Sequence, residues 1–147
     1  LDLIREASPR HFLRIQRHVT VIANSTIVAD AHYRRFTRRV SVNFNKIWIE
    51  SKAEACLRGY AMLLVHEATH GYLHALRFLY SKSTQSRIER ICVNEGNRFL
   101  LHLGSQWAHL RQEFNQSDWD FSWHASRSLK LKRHRTLVKK HWREHLD

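Results

Sequence analysis

Near the end of the first third of the chain, hydrophobic and polar positions alternate as they do in strands with one buried face. Within segment 40–44, valine and phenylalanine are separated by single polar residues, which predicts a half-buried strand. A β-branched run at 19–22 and an apolar run at 47–49 predict further strands. We therefore expect residues 1–50 to form a β-rich part, with its strands within 11–50.

Two helices are predicted after this β-rich part. Ser51 and Glu54 fit a capping box, and the apolar positions that follow predict a helix to about Phe78. A second helix is expected to begin within 83–86 and to end before Gly104, which is a suitable residue to terminate it. The periodicity therefore changes from that of strands to that of helices near the middle of the chain.

The last third of the chain is rich in tryptophan and in basic residues. Residues 129–146 have the pattern of a basic amphipathic helix. The order of elements predicts one α+β domain over residues 1–147. In it the β-rich part is followed by a helix pair at 51–104 and by a Trp-rich, basic segment at 105–147.

The 147 residues carry a formal net charge of +12, which favours anionic partners through long-range attraction. Lysines and arginines cluster between 127 and 143. This cluster fits contact with nucleic acid or an anionic membrane surface, and it equally fits a solvated helix face. No apolar run approaches the roughly 20 residues that cross a bilayer, and the first residues lack a signal-peptide pattern. We therefore expect a cytoplasmic protein.

The sequence His-Glu-Ala-Thr-His occupies positions 66–70, inside the first predicted helix. His66 and His70 are four residues apart, so their imidazoles share one helix face and can reach one metal ion. Glu67 is turned by about 100° from His66, where it can take a proton from water acidified by Zn²⁺. Leu76 excludes the pattern with a third histidine six residues after the second. Since the chain has 12 histidines, the other interpretation is a His-rich helix without a metal.

The third ligand is expected from the next helix. Glu89 follows His70 after 18 residues, and with this spacing segment 66–89 resembles the gluzincin metallopeptidases and small zincin-like proteins. The resemblance implies a small zincin-like domain, in which an N-terminal sheet packs on the motif helix and on a second, ligand-bearing helix. It also implies Zn²⁺ bound by His66, His70 and Glu89, with Glu67 as general base and hydrolysis of peptide bonds.

Glu89 has competing interpretations. Ser86 and Glu89 also fit a capping box, in which Glu89 would only bond to backbone amides. Glu95 is the rival ligand, or the acceptor for a ligand histidine, because an ionised carboxylate on an apolar helix face requires a partner. Val93 stands where gluzincins often have an aspartate that orients a ligand histidine, so another group has to do this. Cys92 is near enough in sequence to approach zinc, although a reduced core thiol is the simpler expectation.

These residues favour a zinc-dependent hydrolase, a metallopeptidase that acts on a peptide or protein. Segment 40–49 leads into the motif helix, and the resemblance implies that it aligns an extended substrate by backbone pairing, although the sequence does not tell which strand lies at the edge of the sheet. Four residues are candidates for stabilising the oxyanion of the reaction: Tyr60, His102, His109 and His124. The alternative is a nucleic-acid-binding or interaction module with a structural or degenerate zinc site, and a toxin-like effector would combine both.

Overall fold

The structure is a computed structural model that describes residues 1–25, 30–44 and 53–115. These residues form an α+β fold, as the periodicity predicts, with a three-stranded sheet and helices on either side of it in the sequence. The elements are α1 (Asp2–Ala7), α2 (Pro9–His18), β1 (Val21–Asn24), β2 (Ala31–Arg34), β3 (Arg39–Val42), α3 (Ala53–Ala75), α4 (Gln85–Leu103) and a 3₁₀ helix (Ser105–Leu110).

Two helices, Asp2–Ala7 and Pro9–His18, occupy the start of the chain, so the prediction of a β-rich part from residue 1 is wrong there. Ser8 separates the two helices in an extended conformation, and Pro9 occupies the first turn of α2. Proline suits that position because its fixed φ is helical. It lacks an N–H group, but an N–H in the first turn would have no partner within the helix. Ile4 and Ile15 then bury one face of α1 and α2, since their side chains are 1% and 3% exposed.

Strand β3 lies in the middle of the sheet, whose order is β1-β3-β2. It pairs in parallel with β1 and antiparallel with β2. Val40 and Val42 are fully buried, and Ser41 on the opposite face is 3% exposed. Both faces are therefore covered, and the prediction of a half-buried strand is wrong. Strand β3 is therefore not the edge strand that alignment of a substrate by backbone pairing would need, whereas residues 45–49 lie outside the described part.

Helix α3 ends at Ala75, three residues before the predicted end at Phe78. The backbone N–H of Phe78 donates to the carbonyl of Leu73 at 3.0 Å, and that of Arg77 donates to His74 at 2.9 Å. These two hydrogen bonds together form a Schellman motif. Arg77, with a φ of 63°, occupies the position that glycine usually takes. The sequence lacks the glycine that would reveal this end. The capping box predicted from Ser51 lies outside the described residues.

Helix α4 confirms the predicted second helix, since it runs from Gln85 to Leu103. Gly104 follows it with a φ of 111°, a conformation that side chains other than glycine rarely adopt. Because the helix begins before Ser86, Glu89 lies beyond the first turn. The capping-box interpretation of Glu89 is therefore wrong, and its carboxylate is free for another role.

The main core lies where α1, α2, α3 and α4 meet. Val65 and Ala68 of α3 are at most 1% exposed and pack in one cluster with Phe99 and Leu100 of α4 and with Ile15 of α2. A smaller cluster around Val40, Val42 and Tyr60 joins the sheet to α3. Helix α3, which carries the motif, therefore packs against α2, α4 and the sheet. This packing fixes the position of the side chains along it.

The chain divides into two compact units, Leu1–Phe114 and Asn115–Asp147. Of the second unit only Asn115 is described, so the predicted basic helix at 129–146 lies outside the described residues. The expectation of one domain over all 147 residues stays a prediction. In the described ranges, no helix is both long and apolar enough to cross a membrane.

Candidate metal centre

The two motif histidines and Glu89 meet between α3 and α4. The Nε2 atoms of His66 and His70 lie 3.3 Å apart. Oε2 of Glu89 lies 3.4 Å from Nε2 of His66 and 3.5 Å from Nε2 of His70. The three atoms therefore form a nearly equilateral triangle, with two corners from one helix and the third from its neighbour.

A thiol completes a second set of donors around the same histidines. The ligand atoms of His66, His70 and Cys92 all lie within 4.8 Å of one another. Cys92 is 0% exposed and His66 is 8% exposed, whereas the side chain of His70 is 15% exposed. This largely buried group could hold a metal ion. The set with Glu89 is the tighter of the two, because each of its interatomic distances is 3.5 Å or less.

Tyr80 fixes the orientation of the Glu89 carboxylate. Its hydroxyl donates to Oε1 of Glu89 at 2.6 Å, while Oε2 faces the two histidines. The ring of Tyr80 also lies 6.0 Å from that of His70. Sequence reasoning missed Tyr80, because it lies in the connection between α3 and α4, where no periodicity marks its direction. The only indication in the sequence was its spacing, since Tyr80 lies nine residues before Glu89.

Mutual contacts decide the pKa values of these groups. Burial opposes the charge of Glu89, but hydrogen bonds from His66, His70 and Tyr80 outweigh it and hold the pKa of the carboxyl well below its usual range. Burial likewise opposes protonation of His70, yet Cys92 and Glu89 raise its pKa well above the ordinary value. Burial and the charge of Glu89 raise the pKa of the Tyr80 hydroxyl, which stays a neutral donor. The centre is thus built around an ionised carboxylate that attracts cations.

Glu67 lies beside the histidines and is 6% exposed. Its charge is close enough to raise the pKa of His70 and of Cys92. The carboxylate makes no hydrogen bond or ion pair with another residue among those that the structure describes. A carboxylate beside two candidate ligand histidines is located where it could take part in proton transfer.

Glu95, the alternative ligand, is engaged elsewhere. Its Oε2 accepts a hydrogen bond from Nη1 of Arg14 at 2.7 Å, and its Oε1 accepts one from Arg98 at 2.6 Å. Nε2 of His11 lies 3.5 Å from Oε2. The same Nη1 of Arg14 donates to Thr69 in the motif at 2.9 Å. Arg14, on α2, therefore connects the motif helix with α4.

The group that would orient His66 is not found among the described residues. Its Nδ1 atom is buried and has no hydrogen-bond partner in that part of the chain. Val93, four residues after Glu89, is 4% exposed and apolar. The departure noted in the sequence thus corresponds to an unsatisfied imidazole nitrogen in the structure.

The other histidine and tyrosine candidates make contacts away from the centre. The Tyr60 hydroxyl donates to the carbonyl of Phe44 at 3.0 Å. His109 contacts a carbonyl within its own 3₁₀ helix, and the ring of His102 lies beside His11. His124 lies outside the described residues. That one of these residues stabilises the oxyanion of the reaction stays a prediction.

Gly71 lets the sheet and α2 approach the motif helix directly after His70. A Cβ atom at this position would lie 2.8 Å from the hydroxyl of Tyr33 in β2 and 2.9 Å from Cβ of His18 in α2. The Tyr33 hydroxyl in turn donates to the carbonyl of His18 at 3.0 Å. The glycine is therefore required by close packing, and it anchors the end of the helix that carries the donors.

Comparisons of this chain with family models, with curated proteins and with solved structures found no match. The structure itself defines the class: a small α+β protein with a largely buried group of His66, His70 and Cys92 that could hold a metal ion.

Proposed function

We propose that this protein is a zinc-dependent hydrolase of the gluzincin type that cleaves peptide bonds. The observation that carries the proposal is the triangle of His66, His70 and Glu89, with edges of 3.3, 3.4 and 3.5 Å. Ligand atoms at about 2.0–2.1 Å from a tetrahedral Zn²⁺ are separated from one another by about 3.3–3.4 Å. The triangle has the dimensions of one face of such a tetrahedron.

The chemistry of the donors supports zinc over other divalent ions. Two imidazoles and one carboxylate are the ligands of catalytic zinc in this type of metallopeptidase, whereas Mg²⁺ and Ca²⁺ prefer sites made of oxygen atoms. The nearby thiol of Cys92 also favours a soft metal. A site with three protein ligands leaves one coordination position for water or substrate.

Glu67 is the residue that we assign to proton transfer. Bound zinc would polarise the scissile carbonyl and make water more acidic near neutral pH. The Glu67 carboxylate would accept the proton of the attacking water and later return it to the leaving amine. Its burial next to the histidines, where its charge acts on His70, supports this role.

The first experiment measures metal content and turnover in three variants. His66→Ala should lose the bound zinc and its activity, because one corner of the triangle is removed. Glu67→Gln should retain one zinc per chain but lose turnover by at least about a hundredfold, the usual contribution of a general base. His74→Ala, an exposed histidine on the same helix, is the matched control and should change neither.

Metal content by mass spectrometry and cleavage of a fluorescein-labelled casein are the two readouts. Zinc binding that survives His66→Ala would refute the site. Full activity of Glu67→Gln with zinc bound would refute the mechanism while leaving the metal site intact.

A second candidate is a binding module with a structural zinc site. The observation that favours it is Cys92, since two histidines, a carboxylate and a thiolate would give four protein ligands and a closed site. The net charge of +12 would then attract an anionic partner to the protein. Nucleic-acid binding that weakens steeply with salt, with no cleavage of casein by any variant, would favour this function.

A further inference from the structure

Cys92 is located where it can act on the metal centre. It follows Glu89 by three residues on α4, so the two side chains share one face of that helix. Its sulfur lies within 4.8 Å of the ligand atoms of both histidines. Cys92 is 0% exposed, so its environment combines the apolar neighbours Leu73 and Ile88 with the donors of the centre.

Coordination of this sulfur requires only a small movement. In a tetrahedral zinc site the sulfur lies about 2.3 Å from the metal and therefore about 3.6 Å from each imidazole nitrogen. The present upper limit of 4.8 Å exceeds that separation by an amount that rotation of a cysteine side chain can supply. A thiolate is also a stronger zinc ligand than water, because zinc is a borderline-soft ion.

We propose that Cys92 is a fourth protein ligand that closes the metal centre and keeps the hydrolase latent. The inference rests on the proposed function. When the sulfur–metal bond forms, the thiol S–H bond breaks and its proton passes to solvent, with no change in oxidation state. In molecules with this bond the thiolate takes the position that water needs and Glu67 has no water to deprotonate, so the wild-type activity comes from molecules whose centre is open. Return of a proton to the sulfur and entry of water restore the open centre.

The spectrum of the cobalt-substituted protein tests this inference without relying on activity. Co²⁺ takes the place of Zn²⁺ in such sites, and a thiolate ligand gives it an intense sulfur-to-cobalt charge-transfer band in the near ultraviolet. The wild-type protein should show this band, and Cys92→Ser should lose it while still binding one Co²⁺ per chain. Cys56→Ser is the matched control, because Cys56 is also buried on a helix but lies ten residues before His66 on α3, about 15 Å along its axis.

A second measurement addresses latency. Zinc-loaded Cys92→Ala should cleave fluorescein-labelled casein several-fold faster than the wild-type protein, since the position for water is then permanently open. The Cys56→Ser variant should cleave at the wild-type rate. Alanine is used here because it cannot replace the thiolate as a ligand and fits the buried position.

The outcomes separate this inference from the function on which it rests. Cobalt bound through His66 without a charge-transfer band, or a band that persists in Cys92→Ser, would overturn the role of Cys92 and leave the hydrolase proposal standing. A Cys92-dependent band with no gain in cleavage by Cys92→Ala would overturn latency. No cobalt or zinc bound by the wild-type protein would overturn the metal site itself, and with it both proposals.

Discussion

The two oxygens of the Glu89 carboxylate have different neighbours, which shows how one residue can determine the geometry of the centre. Oε1 accepts the Tyr80 hydrogen bond, and Oε2 faces His66 and His70. A carboxylate held in this way presents a single oxygen to a metal. Removal of a group that orients a metal ligand commonly weakens metal affinity by about 10–100-fold.

We therefore expect Tyr80→Phe to weaken zinc binding by about 10–100-fold without unfolding the protein. The change removes only the hydroxyl that donates to Glu89. Zinc affinity is measured by competition with a coloured chelator. Tyr72→Phe is the matched control, since Tyr72 is 37% exposed and Tyr80 is 40% exposed, and it should leave the affinity unchanged. An affinity that is the same in both variants would show that Tyr80 does not position the ligand.

At the level of elements, α3 depends on contacts that differ along its length. Around Gly71 the helix is in close contact with Tyr33 and His18, whereas a Cβ atom at Gly59 would meet nothing within 4 Å. The same substitution at these two glycines therefore has opposite physical consequences. Alanine improves helix propensity at both, but at position 71 it also forces neighbouring atoms to move.

Gly71→Ala should lower the free energy of unfolding, because overpacking typically costs about 1–3 kcal/mol. Gly59→Ala should raise it by up to about 1 kcal/mol, the difference in helix propensity between glycine and alanine. Urea denaturation of both variants and of the wild-type protein measures these changes. A Gly71→Ala variant that is as stable as Gly59→Ala would mean that β2 and α2 do not constrain this helix.

What could be predicted from the sequence depends on whether a feature is determined by neighbouring residues or by contacts between distant segments. Helical periodicity predicted that His66 and His70 share one face, whereas Glu89 was indicated only by the resemblance in spacing to the gluzincins, with Glu95 as its rival. The contact of Tyr80 with Glu89 and the distance of Cys92 from the two histidines depend on how a loop turns and on how two helices are rotated, so no local pattern determined them. The central position of β3 depends on pairing with β1 and β2, which no local pattern reveals.

At the level of the whole molecule, the Glu95 cluster stabilises the packing of α2 on α4. His11 is the main group that lowers the pKa of Glu95, and Arg14 and Arg98 lower it further, so that the carboxylate is ionised well below the ordinary value of 4.5 despite its burial. The resulting stability is fully present above about pH 4.5 and is lost as the pH falls from there towards the lower pKa of the folded state.

Glu95→Gln should therefore be less stable near neutral pH, and its unfolding free energy should fall less steeply on acidification below about pH 4.5. The loss near neutral pH is expected to be about 3–5 kcal/mol, because the buried guanidinium of Arg14 would lose its counter-charge. Urea denaturation at a series of pH values measures both effects. Glu54→Gln removes an exposed ion pair with Arg58 and should leave the profile nearly unchanged. Parallel acid profiles for wild-type and Glu95→Gln proteins would contradict the assignment.

Arg14 donates through a single nitrogen to Thr69 and to Glu95, and this has a practical consequence for anyone who wishes to miniaturise the centre. A synthetic hairpin of residues 53–103 would contain all four proposed metal donors, yet it would lack the cation that links its two arms. Such a peptide would have to incorporate α2, or a cross-link in its place, before its affinity for a metal could be compared with that of the intact fold.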